Sequence, residues 1–248
     1  MTGYVARPAG PGPHPGLLLV HEIWGLDAHI REVADRFARE GFVVLAPDLY
    51  STHPLGFPVS ALERGLGLLM ALPPPERGDP SAVQKAMAPL PSSERGDVEK
   101  AMAWMRKRDL ELYVPDLQAS LGFLRGQPGV DGGRVAALGF CMGGAVVWRL
   151  AVSGAPVWGS VVFYGDNPPL DRLGMVKGPV LGLYGADDPR ITATVPDLER
   201  AMKAAGKPFS HHVYAGAPHA FFNDTRPLYR KEAAEDAWRR TLAFLCSG

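Results

Sequence analysis

Residues 134–150 read Arg134-Val135-Ala136-Ala137-Leu138-Gly139-Phe140-Cys141-Met142-Gly143-Gly144-Ala145-Val146-Val147-Trp148-Arg149-Leu150, and this stretch decides the fold. The small and β-branched run Val135 to Leu138 suits a buried strand, while Ala145, Val146 and Leu150 repeat with helical spacing. Between them lies Gly139-Phe140-Cys141-Met142-Gly143, a sharp turn of the form G-x-C-x-G. It matches the G-x-S-x-G nucleophile turn with sulfur in place of the hydroxyl oxygen. Strand and helix pass too close there for a Cβ at the flanking positions, which is why glycine is needed. Cys141 should stand at the N-terminus of the following helix, where the positive end of the macrodipole favours a thiolate. Taken alone, the same residues also fit a buried structural cysteine. Gly139, Gly143 and Gly144 do not form the G-x-G-x-x-G dinucleotide fingerprint.

Composition narrows the classes of function. The 248 residues suffice for one large α/β core, and a single domain over 1–248 is the expectation. Net charge is zero and charged residues make up 21%, so nothing argues for a nucleic-acid surface or a charged tail. The two cysteines, Cys141 and Cys246, do not make a disulfide framework, and a reducing, cytoplasmic setting fits. The Pro/Gly-rich start and the short apolar run Leu17 to Val20 lack the pattern of a signal peptide, and no stretch is long enough to span a membrane. Small molecules are the expected partners, with no nucleic acid, no membrane, and a monomer or weak homo-oligomer.

Around the central turn the chain alternates strands and helices. Gly3 to Ala6 suits a short edge strand, and Leu17 to Val20 a strand buried on both faces, followed at once by His21-Glu22-Ile23-Trp24-Gly25. His29 to Glu40 has a helical apolar stripe closed by Gly41, and Phe42 to Ala46 is the next strand, ending in Pro47-Asp48-Leu49-Tyr50. Strand, helix, strand over so short a span makes a parallel βαβ unit. Residues 51–113 break the rhythm. They carry Glu-Arg-Gly-Asp at 76–79 and 94–97 and Lys-Ala-Met at 85–87 and 100–102, which reads as a helix-and-loop unit used twice in an α-helical insertion. An insertion at that point commonly forms a lid or substrate wall. Pro115 to Gln127 is a helix, Gly132-Gly133 a turn, and strands follow over Val157 to Tyr164, Pro179 to Tyr184 and Phe209 to Tyr214. Helices over Thr194 to Ala205 and Leu228 to Cys246 complete a sheet of about six parallel strands with helices on both faces.

Three residues then fall just past the C-terminal ends of strands, where open α/β sheets bind ligands. They are Cys141, Asp188 and His219, and the order nucleophile, acid, histidine is that of the α/β-hydrolase fold. Such chemistry needs a thiolate to attack, an imidazole to take and return its proton, and a carboxylate to fix the imidazole tautomer. The oxyanion needs preorganised donors, expected from the backbone N–H groups of Met142 and Ile23. Asp187 competes with Asp188 for the acid, and Asp188 is preferred because Pro189 then turns the chain. Glu22 is either a plain loop acid or a partner of the thiol, with Trp24 as pocket wall. His211 and His212, adjacent on one strand, point to opposite faces. His14, His29 and His53 sit in polar or loop contexts, and no metal site emerges.

The combination of His21-Glu22-Ile23-Trp24-Gly25-Leu26, Ala46-Pro47-Asp48-Leu49-Tyr50, Gly139-Phe140-Cys141-Met142-Gly143-Gly144, Asp188 and Ala217-Pro218-His219-Ala220-Phe221 resembles the dienelactone hydrolase family from about Leu17 to the end of the chain. The resemblance implies a hydrolase that opens an enol-lactone through a Cys-Asp-His triad without a cofactor. It also implies that Glu22 restrains the thiol in the free enzyme and helps deprotonate it when substrate displaces the carboxylate. Two departures stand out. The family's carboxylate-binding arginine four residues after the catalytic histidine is Asn223 here, and the nearest match to its second arginine is Asp97, two residues after Arg95. Trp24, Tyr50, Arg95, Asn223 and Arg226 are the candidate substrate-binding residues.

The function expected is therefore hydrolysis of a small ester or lactone through a thioacyl-enzyme. The alternatives are a thioesterase or small peptidase on the same scaffold, or a non-catalytic redox sensor using Cys141. A sensor needs a reactive thiol but no Asp-His relay.

Overall fold

The computed structural model describes residues 1–247; Gly248, included in the single-domain expectation, lies outside the described residues. Two compact units are distinguished, one made of residues 1–49 and 110–247 and the other of Tyr50–Asp109.

The larger unit is built on a seven-stranded sheet in the order β1-β3-β2-β4-β5-β6-β7. In chain order it contains β1 (Gly3–Ala6), β2 (His14–Val20), α1 (Ala28–Arg39) and β3 (Val43–Pro47). The smaller unit contributes α2 (Val59–Ala71), α3 (Pro80–Met87) and α4 (Ser92–Lys107). The larger unit resumes with α5 (Val114–Arg125), β4 (Val130–Phe140), α6 (Met142–Val152), β5 (Ser160–Phe163), β6 (Val180–Gly185), α7 (Pro189–Thr192), α8 (Val195–Ala204), β7 (Phe209–Tyr214) and α9 (Lys231–Cys246). Strands β2 to β7 are parallel to their neighbours and β1 joins β3 antiparallel at the edge. This is the mostly parallel α/β-hydrolase arrangement with helices on both faces.

Local sequence explains the elements that position the site. Leu17, Leu18, Leu19 and Val20 are wholly buried, as a strand covered on both faces requires. Leu17 and Leu19 join the cluster that contains Phe37 of α1 and Leu245 of α9, and strand alternation turns Leu18 and Val20 to the opposite face. Asp27 starts α1 by accepting from the Ile30 amide at 3.0 Å, and Gly41, at φ 96°, ends it and lets the chain turn into β3. Gly132-Gly133, expected as a turn, instead lies within β4. The Asp131 carboxylate accepts from Gly133 N at 3.0 Å, and the register against β2 shifts between Pro15 and Gly16, so the strand absorbs the two glycines as an irregularity.

In the smaller unit Gly65 of α2 lies against Met102 and Val98 of α4, and Trp104 receives the ring edges of Tyr50 and Phe57. The two Glu-Arg-Gly-Asp copies do not make equivalent structures. Asp79 caps α3 through Ser81 N at 2.9 Å with Pro80 at the first helical position, so a new helix starts there. Asp97 is followed by Val98 rather than proline, and α4 runs through it. The unit ends at Asp109; Leu110 and Tyr113, placed by sequence in the insertion, are buried residues of the larger unit. Among the described residues no helix is long and apolar enough to cross a membrane.

Candidate active site

The C-terminal ends of five neighbouring strands carry the polar residues of the site. Glu22 follows β2, Cys141 follows β4, Tyr164 follows β5, Asp188 follows β6 and His219 follows β7.

Cys141 occupies the turn between β4 and α6 with φ 55° and ψ −116°, a conformation that L-residues rarely adopt. The surroundings enforce it. Cys141 N donates to Phe163 O at 3.0 Å, and Cys141 O accepts from Ala145 N at 3.1 Å. A Cβ at Gly139 would collide with the Gly143 backbone, and one at Gly143 with the carbonyl oxygens of Val20 and His21. The strand-turn-helix crossing can therefore close only on glycine. It leaves Cys141 half-buried at the N-terminus of α6, with Met142 as the first helical residue.

Asp188 and His219 come together across the β6 and β7 ends, with His219 Nδ1 2.6 Å from Asp188 Oδ2. Asp188 is buried, whereas Asp187 is exposed and engages Ala217 O through its backbone N–H, so the carboxylate facing the imidazole is that of Asp188. Burial alone would lower the His219 pKa. The Cys141 charge, the Asp188 hydrogen bond and a hydrogen bond with Cys141 outweigh it, and the imidazole is pushed up to about 10.

Glu22 is buried, with its carboxylate held from two sides. Asn223 Nδ2 donates to Oε2 at 2.5 Å and Tyr164 Oη donates to Oε1 at 3.3 Å. Burial raises its pKa, against the opposing effect of the Asn223 hydrogen bond and the nearby His219. The main chain beneath it is braced by His21. His21 Nδ1 lies 2.6 Å from Glu22 O, and Nε2 accepts from Leu49 N at 3.2 Å, which places the proton on Nδ1. Burial lowers the His21 pKa, in keeping with a neutral ring.

Tyr164 was not among the residues singled out from the sequence. It has φ 39°, is fully buried, and its ring centroid is 5.0 Å from that of His219. Burial and the neighbouring Glu22 push its phenol well above the ordinary tyrosine range, so it donates. The available signal was positional: Tyr164 ends its strand at the same sheet edge as the other four residues.

Of the expected substrate-binding residues, Trp24, Asn223 and Arg226 belong to the larger unit and Tyr50 and Arg95 to the smaller. Asn223, expected to meet substrate in place of an arginine, is wholly buried. Its amide goes to Glu22, and its oxygen accepts from Thr225 N at 3.1 Å and Thr225 Oγ1 at 2.7 Å. Arg226 stacks over Trp24, with Cζ 4.3 Å from the ring centroid. Ile23 is buried beside Glu22. In the smaller unit, Tyr50 rests on Trp104, and Arg95 donates to Ala88 O and Leu90 O at 2.8 and 3.0 Å, closing the chain after α3. His29, expected in a polar setting, is buried in the first turn of α1. Among the described residues no group of three or more His, Cys, Asp or Glu is arranged to hold a metal ion.

Comparison with known proteins gives a consistent identity. The family model described as "Dienelactone hydrolase family" matches residues 1–247. A protein of Saccharolobus solfataricus named "Putative carboxymethylenebutenolidase" is 37% identical, covering 99% of this chain and 93% of its own length. A protein of the same name from Methylorubrum extorquens is 33% identical, covering 97% of this chain and 74% of its own. A solved structure from Klebsiella pneumoniae, titled a "Putative Dienelactone Hydrolase", superposes with TM-score 0.72 at 28% identity over 99% of this chain and 92% of its own. The chain thus belongs to the dienelactone hydrolase family and is a hydrolase acting on carboxylic esters.

Proposed function

We propose that this enzyme cleaves a small ester or lactone through a thioacyl intermediate on Cys141. His219 takes the thiol proton, and the sulfur attacks the carbonyl carbon. The negative oxygen is received by the backbone N–H groups of Met142 and Ile23. As the intermediate collapses, His219 returns the proton to the departing alcohol or enol oxygen. Water then attacks the thioester with His219 as base, releasing the acid and restoring the thiol. Asp188 orients the ring and stabilises its charged form.

What supports this reading is the 2.6 Å contact of His219 Nδ1 with Asp188 Oδ2, together with an imidazole pKa that Cys141 and Asp188 both push up. Glu22 is assigned as a second acid-base group beneath the thiol. Burial raises its pKa, so when ionised it is a stronger base than an ordinary carboxylate, suited to take the thiol proton first as substrate enters and pass it on to His219. Trp24 and its stacked Arg226 are assigned to the substrate wall. With Asn223 committed to Glu22, the substrate expected is a compact ester or lactone with no need of a carboxylate, rather than dienelactone itself.

Initial rates with p-nitrophenyl acetate, a longer-chain ester and dienelactone test this reading. Turnover that requires Cys141 and favours the neutral esters supports it. Turnover that survives Cys141→Ser overturns it.

A further inference from the structure

The segment after His219 is tied at two adjacent residues that face opposite ways. Asn223 gives its amide to Glu22 at 2.5 Å. Asp224 reaches α1 instead, with one carboxylate oxygen 3.3 Å from His29 Nδ1 and the other 3.6 Å from Arg36. His29 is 3% exposed, and its ring lies edge-on to Phe140 and Phe222, each at 6.5 Å. Its far nitrogen, Nε2, is buried with no hydrogen-bond partner.

An imidazole in an aromatic setting with one nitrogen unpaired is a poor choice for packing alone, since a phenyl or aliphatic group would avoid the lost hydration. Its polar contact is Asp224, whose neighbour sets the charge environment of Glu22. The chain His29, Asp224, Asn223, Glu22 therefore links the first turn of α1 to the floor of the site. It runs through two consecutive backbone positions, which cannot shift independently.

We propose that His29 is a positioning residue for Glu22: by holding Asp224 it fixes the turn that keeps the Asn223 amide on the Glu22 carboxylate. This rests on the assignment of Glu22 to the acid-base chemistry of Cys141. The groups facing His29 are Asp224, Asp27 and Arg36, and those facing Glu22 are Asn223, Tyr164, His219 and Asp27. The Asn223 hydrogen bond stabilises the ionised carboxylate against burial. Releasing it moves the protonation of Glu22 to higher pH.

The test is the pH profile of kcat/KM with p-nitrophenyl acetate on the full chain, for wild type, His29→Leu, Asp224→Ala and His29→Asn. The acidic limb should move up by about one pH unit in His29→Leu and Asp224→Ala, the size of effect a lost hydrogen bond to the charged form produces. His29→Asn, which keeps a donor where Nδ1 stands, should restore it. Asp224 is 44% exposed, so its variant keeps the test open if His29→Leu fails to fold. An unchanged acidic limb in Asp224→Ala, with only the melting temperature altered, overturns the proposal and leaves these residues structural. Glu22→Gln run alongside separates the two failures: if it removes the acidic limb while Asp224→Ala leaves that limb in place, only the role of His29 falls, and if it keeps the wild-type rate and limb, the assignment of Glu22 falls with it.

Discussion

Asp188 Oδ2 and His219 Nδ1 lie 2.6 Å apart across the ends of β6 and β7, and the aspartate that makes this contact is buried while its neighbour Asp187 is exposed. A buried carboxylate at that distance fixes which imidazole nitrogen carries the proton. Replacing it with an amide keeps the shape and removes both the charge and the tautomer preference. Asp188→Asn is expected to lower kcat by about 10³ to 10⁴-fold with the fold retained, as such substitutions do elsewhere. Steady-state rates with circular dichroism check it; a loss below tenfold would mean that the pair is structural.

Glu22 is held by Tyr164 and Asn223 in a site that burial makes unfavourable for charge. Glu22→Gln keeps the volume and removes the proton-accepting oxygen. We expect about a 100-fold fall in kcat/KM, within the usual range for a general acid-base group, with a melting temperature equal to or above that of wild type. Wild-type rates in this variant would reduce Glu22 to a buried loop acid.

Gly143 packs its Cα against the Val20 and His21 carbonyls, where no side chain fits. The neighbours are backbone atoms of a central strand and cannot move aside cheaply. Gly143→Ala should cost about 3 kcal/mol, at the upper end of ordinary overpacking, or prevent folding altogether. Urea denaturation measures it, and a loss under about 1 kcal/mol would contradict the enforced crossing.

The buried His21 ring makes stability depend on pH. Its folded pKa is lowered by burial, so below about 6.5, the unfolded value, the unfolded chain binds the proton first and stability falls as pH falls. His219 has the opposite sign. Its pKa is raised to about 10, so its contribution is fully present below about 6.5 and is lost as pH rises through 10. His21→Gln should be less stable than wild type at pH 7 because two buried hydrogen bonds are disturbed, and the gap should narrow by pH 5. A gap that stays constant or widens over that interval would show His21 to be charged in the folded protein.

Much of this was legible in the sequence, for identifiable reasons. The crossing at Gly139 to Gly143 is dictated by sterics that only glycine satisfies, so the motif alone placed Cys141, strand and helix. The parallel order followed from apolar runs alternating with amphipathic helices. Tyr164 and Asn223 were not legible in these terms. Tyr164 looked like the last residue of a strand, and its role depends on a positive φ that turns its hydroxyl toward Glu22, 142 positions away. Asn223 stands where the family resemblance puts a carboxylate-binding arginine, and nothing in the sequence shows that its amide goes to a carboxylate on another strand end. His29 belonged to an evident helix, but its burial depends on Phe140 and Phe222 arriving from distant segments. Local patterns reveal backbone geometry; long-range polar pairing depends on which strand ends become neighbours.

The most direct measurement is the initial rate of wild type and Cys141→Ser against p-nitrophenyl acetate, with mass spectrometry of the protein quenched during turnover. The account predicts that wild type carries an acetyl adduct on Cys141 while turning over, and that Cys141→Ser loses nearly all activity. Turnover in the serine variant comparable to wild type, with no adduct on Cys141, would contradict it.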